Sequence, residues 1–235
     1  MDNQKDIVIE LKGVTKDYNV ESQVVPALRG VDLKVRKGDM VAVTGTSGSG
    51  KSTILHMIGT LDQPTEGKVF LNGANVTEMT DQTVSSFRNS TIGFVFQMNN
   101  LLPEFSALEN VMMPGLIAGV SKSAVKEKAS LLLKAVGLSH RENHRPGEMS
   151  GGEQQRVAIA RALLMDPPII LADEPTGNLD KKTSSAIQEL LLQLCKDNSI
   201  TMLLVTHDLS LAQKFENRVV MEDGKIVETI GLEND

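Results

Sequence analysis

The sequence predicts an α/β domain on a central parallel sheet, with an antiparallel β edge and a helical insertion at about residues 88–160. Two patterns predict it. "MVAVT" (40–44), "IILA" (169–172) and "TMLLVT" (201–206) are nearly continuous apolar runs, as in parallel strands covered on both faces. "KSAVKEKASLLLKAVGL" and "SSAIQELLLQLCKDN" instead carry apolar residues at three- and four-residue spacing, which makes them amphipathic helices. "DIVIELKGVTKDY" and "ALRGVDLKVRKGD" alternate apolar and polar residues between glycine turns, the pattern of half-buried antiparallel strands. "GKVFLNGANV" adds a further strand turning at Asn72-Gly73.

With 235 residues and 40% hydrophobic content, the chain is long enough to bury a full core, and extended disorder is not expected. The formal charge of -6 provides no general basic field, so nucleic acid is not an expected partner. Cys195, the one cysteine, cannot form an intrachain disulfide. "MDNQKDIVIELKG" lacks the basic start and apolar stretch of a secretory signal, so a cytoplasmic location is expected. The most apolar segments, "LLPEFSALENVMMPGLIAGV" and "ALLMDPPIILA", are interrupted by Glu104, Glu109 and Asn110 and by Asp166 with two prolines. Neither is expected to span a bilayer. His56, His140, His144 and Cys195 have no metal-ligand spacing and are read as structural or surface residues.

The chemistry collects behind the central strands. In open α/β sheets the ligand crevice lies beyond the carboxyl ends of the strands. "MVAVT" runs into Gly45, Thr46, Ser47, Gly48, Ser49, Gly50, Lys51, Ser52 and Thr53, which fulfil G-x-x-x-x-G-K-[ST] between a strand and a helix. Such a loop turns backbone N–H groups toward phosphate oxygens, and the helix that follows adds its positive dipole end. Lys51 then reaches the β- and γ-phosphates of ATP, and Ser52 offers a hydroxyl to Mg2+. "IILA" ends on Asp173, placed to hold Mg2+, and Glu174, placed to orient an attacking water. "TMLLVT" ends on His207, read as a γ-phosphate contact rather than an ordinary strand-end histidine.

"MSGGEQQRVAIARALL" (149–164) is a second anion-binding helix start, with Ser150 as N-cap and Gly151 and Gly152 exposing backbone N–H groups. One P-loop and one Asp-Glu strand end leave this cradle with no nucleotide of its own. The economical inference is that it completes the site of a second copy of the chain, giving a homodimer with two composite sites.

Together these residues resemble the ATP-binding cassette (ABC) ATPases over nearly the whole chain. "GTSGSGKST" resembles the Walker A motif, "IILADE" Walker B, "MSGGEQQR" the signature, "GNLD" (177–180) the D-loop, "VTH" the switch histidine and "FVFQ" the Q-loop. The resemblance implies a P-loop NTPase with a RecA-like parallel-sheet core. Its three parts would be a β subdomain with the P-loop (1–87), a helical subdomain with Q-loop and signature (88–160), and the remaining core (161–235). It also implies that Gln97 joins Ser52 and Asp173 around Mg2+, that Asp180 couples two protomers, and that Tyr18 stacks on adenine. The signature departs from the family in Met149 and in Glu153, which places a carboxylate beside the expected polyphosphate.

"NNLLPEFSALENVMMPGLI", "LKAVGLSHRENHRPGEMSGGEQQRVAIARAL" and "LADEPTGNLD" narrow the resemblance to the ATPases of bacterial lipoprotein-releasing systems, with relatives in macrolide export, peptide resistance and cell division. That implies a peripheral subunit on the cytoplasmic face of the inner membrane, docked near the Q-loop on integral-membrane subunits. The apolar residues of "MNNLLPEF", expected in an exposed loop, are a candidate dock, or else part of the local core. Soluble ABC ATPases usually have tandem cassettes or long coiled-coil insertions, and P-loop kinases and GTPases leave the signature unexplained.

Overall fold

The computed structural model describes residues 7–20 and 23–232. The chain divides into two compact units, 1–88 with 201–235, and 89–200.

The first unit begins with two long strands, β1 (Ile7–Val20) and β2 (Gln23–Arg36), paired antiparallel. β4 (Glu66–Leu71) pairs antiparallel with β1, and the short β5 (Ala74–Asn75) pairs with β4. Ile9, Leu11, Val14, Leu28, Val31, Leu33 and Val35 are buried, as the alternating sequence requires of a sheet with one covered face. β3 (Met40–Gly45) lies between two parallel partners, β8 (Thr201–Val205) and β9 (Asn217–Glu222). Residues 41–44 of β3 and all of β8 are buried, consistent with their continuous apolar sequence. β10 (Lys225–Ile230) folds back antiparallel on β9. Two helices complete this part: α1 (Lys51–Ile58), which buries Ile54, Leu55, Met57 and Ile58, and the four-residue α7 (Leu209–Ala212). α2 (Asp81–Thr91) runs to the boundary between the units.

In the second unit, β6 (Ile92–Phe96) pairs parallel with β7 (Ile169–Asp173), from Ile92 opposite Ile169 to Phe96 opposite Asp173. Residues 92–96 therefore form a strand inside a segment expected to be helical, because five residues are too few for periodicity to separate the two states. α3 (Ala107–Ile117), α4 (Lys122–Ala135) and α5 (Gly151–Leu163) pack on one another, and α5 also covers β6 and meets α6 (Lys181–Asp197). α3 lies within "LLPEFSALENVMMPGLIAGV", whose Asn110 is buried yet fully employed. Its amide nitrogen is 3.0 Å from the carbonyls of Leu102, Phe105 and Ser106, and its oxygen accepts from Leu102 N–H at 2.7 Å. No described helix is long and apolar enough to cross a membrane.

The α5–β6 contact depends on a missing side chain. A Cβ on Gly93 would lie 2.4 Å from the Ala162 carbonyl oxygen and 2.5 Å from Ile170 Cδ1. Gly93→Ala is expected to cost about 1–3 kcal/mol through overpacking, read as a lower urea midpoint with an unchanged m-value.

Candidate functional site

In the first unit, the loop after β3 is shaped by backbone crowding. Gly45, Gly48 and Gly50 adopt φ of 148°, 79° and 98°, where side-chain-bearing residues are strained. A Cβ on Gly45 would stand 2.2 Å from the Met221 carbonyl oxygen, and one on Gly50 would stand 2.7 Å from that of Ala27. Gly224 N–H donates to Ser49 O at 3.1 Å, so β2, β9 and the β9–β10 turn all brace the loop. Lys51 Nζ donates to the Gly45 and Thr46 carbonyls at 2.9 and 2.8 Å. Gly50 begins α1, and the Ile54 N–H returns to its carbonyl at 2.9 Å, which aims the positive end of the helix at the loop. The Ser49 hydroxyl is buried without a hydrogen-bond partner. An orphaned hydroxyl in a glycine cradle at a helix start suits a polyphosphate.

His207 leaves the same edge of the neighbouring strand, because Val43 lies opposite Val205 and Thr206 N–H donates to Val43 O at 3.1 Å. It is fixed between Thr206, whose hydroxyl accepts from Asp208 N–H at 3.0 Å, and Asp208, which caps α7 by accepting from Ser210 and Leu211 N–H. Tyr18 is half-buried, and its hydroxyl donates to Asp62 Oδ2 at 3.1 Å and accepts from Thr53. Burial, helped by Asp62, pushes the Tyr18 phenol up from its ordinary value and keeps it neutral. Burial alone would raise Asp62, but hydrogen bonds from Lys16, the Gln63 N–H and Tyr18 outweigh it and hold the carboxyl below its usual range. Lys16 Nζ is 2.7 Å from Asp62 Oδ1 and 5.0 Å from the Tyr18 ring centroid, a cation–π contact on one ring face. Neither Lys16 nor Asp62 was marked by the sequence, since residues 44 and more apart meet only in the fold.

In the second unit, the register of Phe96 opposite Asp173 brings Gln97 and Glu174 off the same edge of adjacent strands. Glu174 has φ 45°, a left-handed conformation that costs free energy and is concentrated at functional positions. Its carbonyl accepts from Gly177 N–H at 3.0 Å, closing the turn that leads to the D-loop. Gln97 Nε2 donates to Asn178 Oδ1 at 3.0 Å, and a Cβ on Gly177 would stand 2.7 Å from that nitrogen. Asn178 thus steadies the glutamine, a pairing that spans 81 residues and has no sequence signal. Asp180 caps α6 by accepting from Lys182 and Thr183 N–H at 3.0 and 3.1 Å. The side-chain oxygens of Gln97 and Asp173, which leave adjacent strands of this unit, are hard donors of the kind that suits Mg2+.

The signature helix starts in a reciprocal capping box. Ser150 Oγ accepts from Glu153 N–H at 3.3 Å, while Glu153 Oε2 accepts from the Ser150 N–H at 2.8 Å and its hydroxyl at 2.9 Å. Arg141 Nε donates to Glu153 Oε1 at 2.9 Å. The Ser150 N–H and hydroxyl, then Arg141, hold the Glu153 carboxyl below its ordinary value. Glu109 does the same for Ser106 at the start of α3. A groove of about 530 Å³ lined by Phe105, Leu108, Met112, Met113 and Leu116 opens beside that start, with Lys122, Lys126 and Arg145 also on its wall. Met98 is 72% exposed and Phe105 38%, so the "MNNLLPEF" loop presents apolar surface as expected. Among the described residues no His/Cys/Asp/Glu cluster suits a metal ion by itself. Burial pushes the Cys195 thiol up to about 12 and leaves it inert.

The ABC transporter family profile matches residues 28–177. "Lipoprotein-releasing system ATP-binding protein LolD" of Geobacter metallireducens is 51% identical over 220 residues, covering 94% of this chain and 98% of that protein. The protein of the same name from Syntrophus aciditrophicus is 50% identical, covering 94% of this chain and 99% of its own length. Among solved structures, the dimeric post-hydrolysis state of the ATP-binding cassette MJ0796 bound to ADP and Pi matches with TM-score 0.88 and 41% identity, over 97% of this chain and 100% of that one.

The capping carboxylates set an acid limit. Glu109 and Glu153 titrate below their ordinary value of 4.5 when folded, so their stabilisation is complete above that pH and is lost as pH falls through the depressed folded values. Urea midpoints are expected to fall below about pH 4.5, with a shallower fall in the variant Glu109→Gln/Glu153→Gln.

Proposed function

The chain belongs to the ABC transporter family, and from that premise we propose that it is the ATP-hydrolysing motor of a bacterial complex that releases lipoproteins from the inner membrane toward the outer membrane. The observation that carries this reading is near full-length identity of about one half to proteins named for that system. The motor is a homodimer peripheral to the cytoplasmic face of the membrane. The dimeric cassette of closely similar fold supports the pairing.

ATP is held by the loop amides from Gly45 to Thr53 and by Lys51, which exchanges its loop carbonyls for phosphate oxygens. Tyr18 stacks on adenine. Ser52, Gln97 and Asp173 would hold Mg2+, which would offset the negative charge developing on the phosphates during transfer. Glu174 orients water and takes its proton as oxygen attacks the γ-phosphorus and the bond to ADP breaks. His207 donates a hydrogen bond to the γ-phosphate and steadies it through transfer. Ser150, Gly151 and Gly152 of the partner close over the same phosphate with Glu153 beside them on the first turn of the helix, and Asp180 couples the two sites. Phosphate release removes the charge that joined the protomers, and the dimer opens. The exposed apolar loop and the neighbouring groove, whose wall holds Lys122, Lys126 and Arg145 as well as Glu109, dock a membrane subunit through an apolar segment.

Glu174→Gln is expected to bind ATP, accumulate as a dimer and turn over at least about 100-fold more slowly, in line with loss of a general base. Steady-state phosphate release together with sedimentation measures both effects, and normal turnover refutes the assignment. A Ser150→Ala protein mixed with a Lys51→Ala protein is expected to regain one working site per mixed dimer. Absence of recovery in cross-linked mixed dimers speaks against completion by the partner.

A further inference from the structure

Ser150 has one hydroxyl proton, and it is donated to Glu153 Oε2 at 2.9 Å. A phosphate oxygen only accepts, so to serve a phosphate Ser150 must withdraw that proton from a carboxylate, and the carboxylate itself repels the phosphate. Both effects depend on how far the Glu153 charge is met elsewhere. Arg141 meets it on the other oxygen, Oε1, at 2.9 Å, with side chains only 33% and 23% exposed. Arg141 is anchored independently of Glu153. Its N–H donates to Leu138 O at 2.9 Å, its carbonyl accepts from His144 N–H at 2.9 Å, and its Nη1 is 3.0 Å from His144 Nε2. The same turn is tied to the start of α3, where Leu108 and Ala107 N–H donate to the carbonyls of Glu142 and His144 at 2.9 and 2.8 Å.

We propose that Arg141 is a positioning residue for the signature serine: by drawing Glu153 toward its guanidinium and offsetting its charge, it frees the Ser150 hydroxyl for the γ-phosphate bound by the partner protomer. The inference rests on the two-protomer site proposed above. Glu153 thereby becomes a gate on dimer closure, and Arg141 sets how readily the gate yields.

The test measures the MgATP concentration giving half-maximal dimerisation by sedimentation, in the Glu174→Gln background. Binding of a fluorescent ATP analogue to dilute monomer serves as the comparison. Arg141→Gln is expected to raise the half-maximal concentration about five- to tenfold, a shift of the size a charge-assisted contact supports. Arg141→Lys, which keeps the charge, is expected to recover part of the loss, and monomer binding is expected to stay unchanged. Adding Glu153→Gln to Arg141→Gln should return dimerisation to the level of Glu153→Gln alone. A defect that persists in the double variant, or no shift in Arg141→Gln, overturns the role of Arg141. Ser150→Ala separates the two levels. If it leaves dimerisation unchanged, the two-protomer reading fails and takes this proposal with it. If it impairs dimerisation while Arg141→Gln does not, only the role of Arg141 fails.

Discussion

Close backbone approach around the loop after β3 is the constraint on which the rest depends. The carbonyl oxygens of Met221 and Ala27 stand where side chains at Gly45 and Gly50 would begin, so neither position accepts a Cβ without moving a strand. This crowding fixes the path of the chain from β3 into α1, where the Lys51 ammonium donates to the Gly45 and Thr46 carbonyls of the same loop. Two strands and a turn brace a few residues of loop, and the outcome is a cradle of backbone donors set before ligand arrives.

Much of the fold was legible because burial writes itself into local sequence. β3, β7 and β8 read as continuous apolar runs, β1 and β2 as alternation, and α4 and α6 as amphipathic periods. The elements that escaped were those whose pattern is too short or too mixed. β6 has five residues, and α3 carries Pro114 and a buried Asn110 in the middle of its apolar stretch. β9 and β10 followed the last recognised motif and drew no attention, yet β9 walls the loop through Met221 and the turn after it donates Gly224 N–H to Ser49.

The site divides in the same way. The residues proposed to meet a ligand belong to motifs with fixed spacing, so Lys51, Asp173, Glu174, Ser150 and His207 could each be nominated from their neighbours in sequence. Residues that hold those groups in place were not, because the holding is done across the fold. Asn178 reaches Gln97, Asp62 reaches Tyr18, and Arg141 reaches Glu153. A partial signal existed for the last: a glutamate on the first turn of an anion-binding helix demands a cation, and several arginines precede it. Choosing Arg141 among them required coordinates. The capping box itself was half-visible, since Ser150 and Glu153 stand at N-cap and N3 spacing.

The ring contact of Tyr18 with Lys16 has a spectroscopic consequence. The chain contains no tryptophan and one tyrosine, so ultraviolet excitation near the phenol band addresses a single chromophore. That chromophore is pinned by Asp62 and has an ammonium over one face. The native polypeptide is therefore its own optical probe, and its emission reports on one ring without any dye or engineered label.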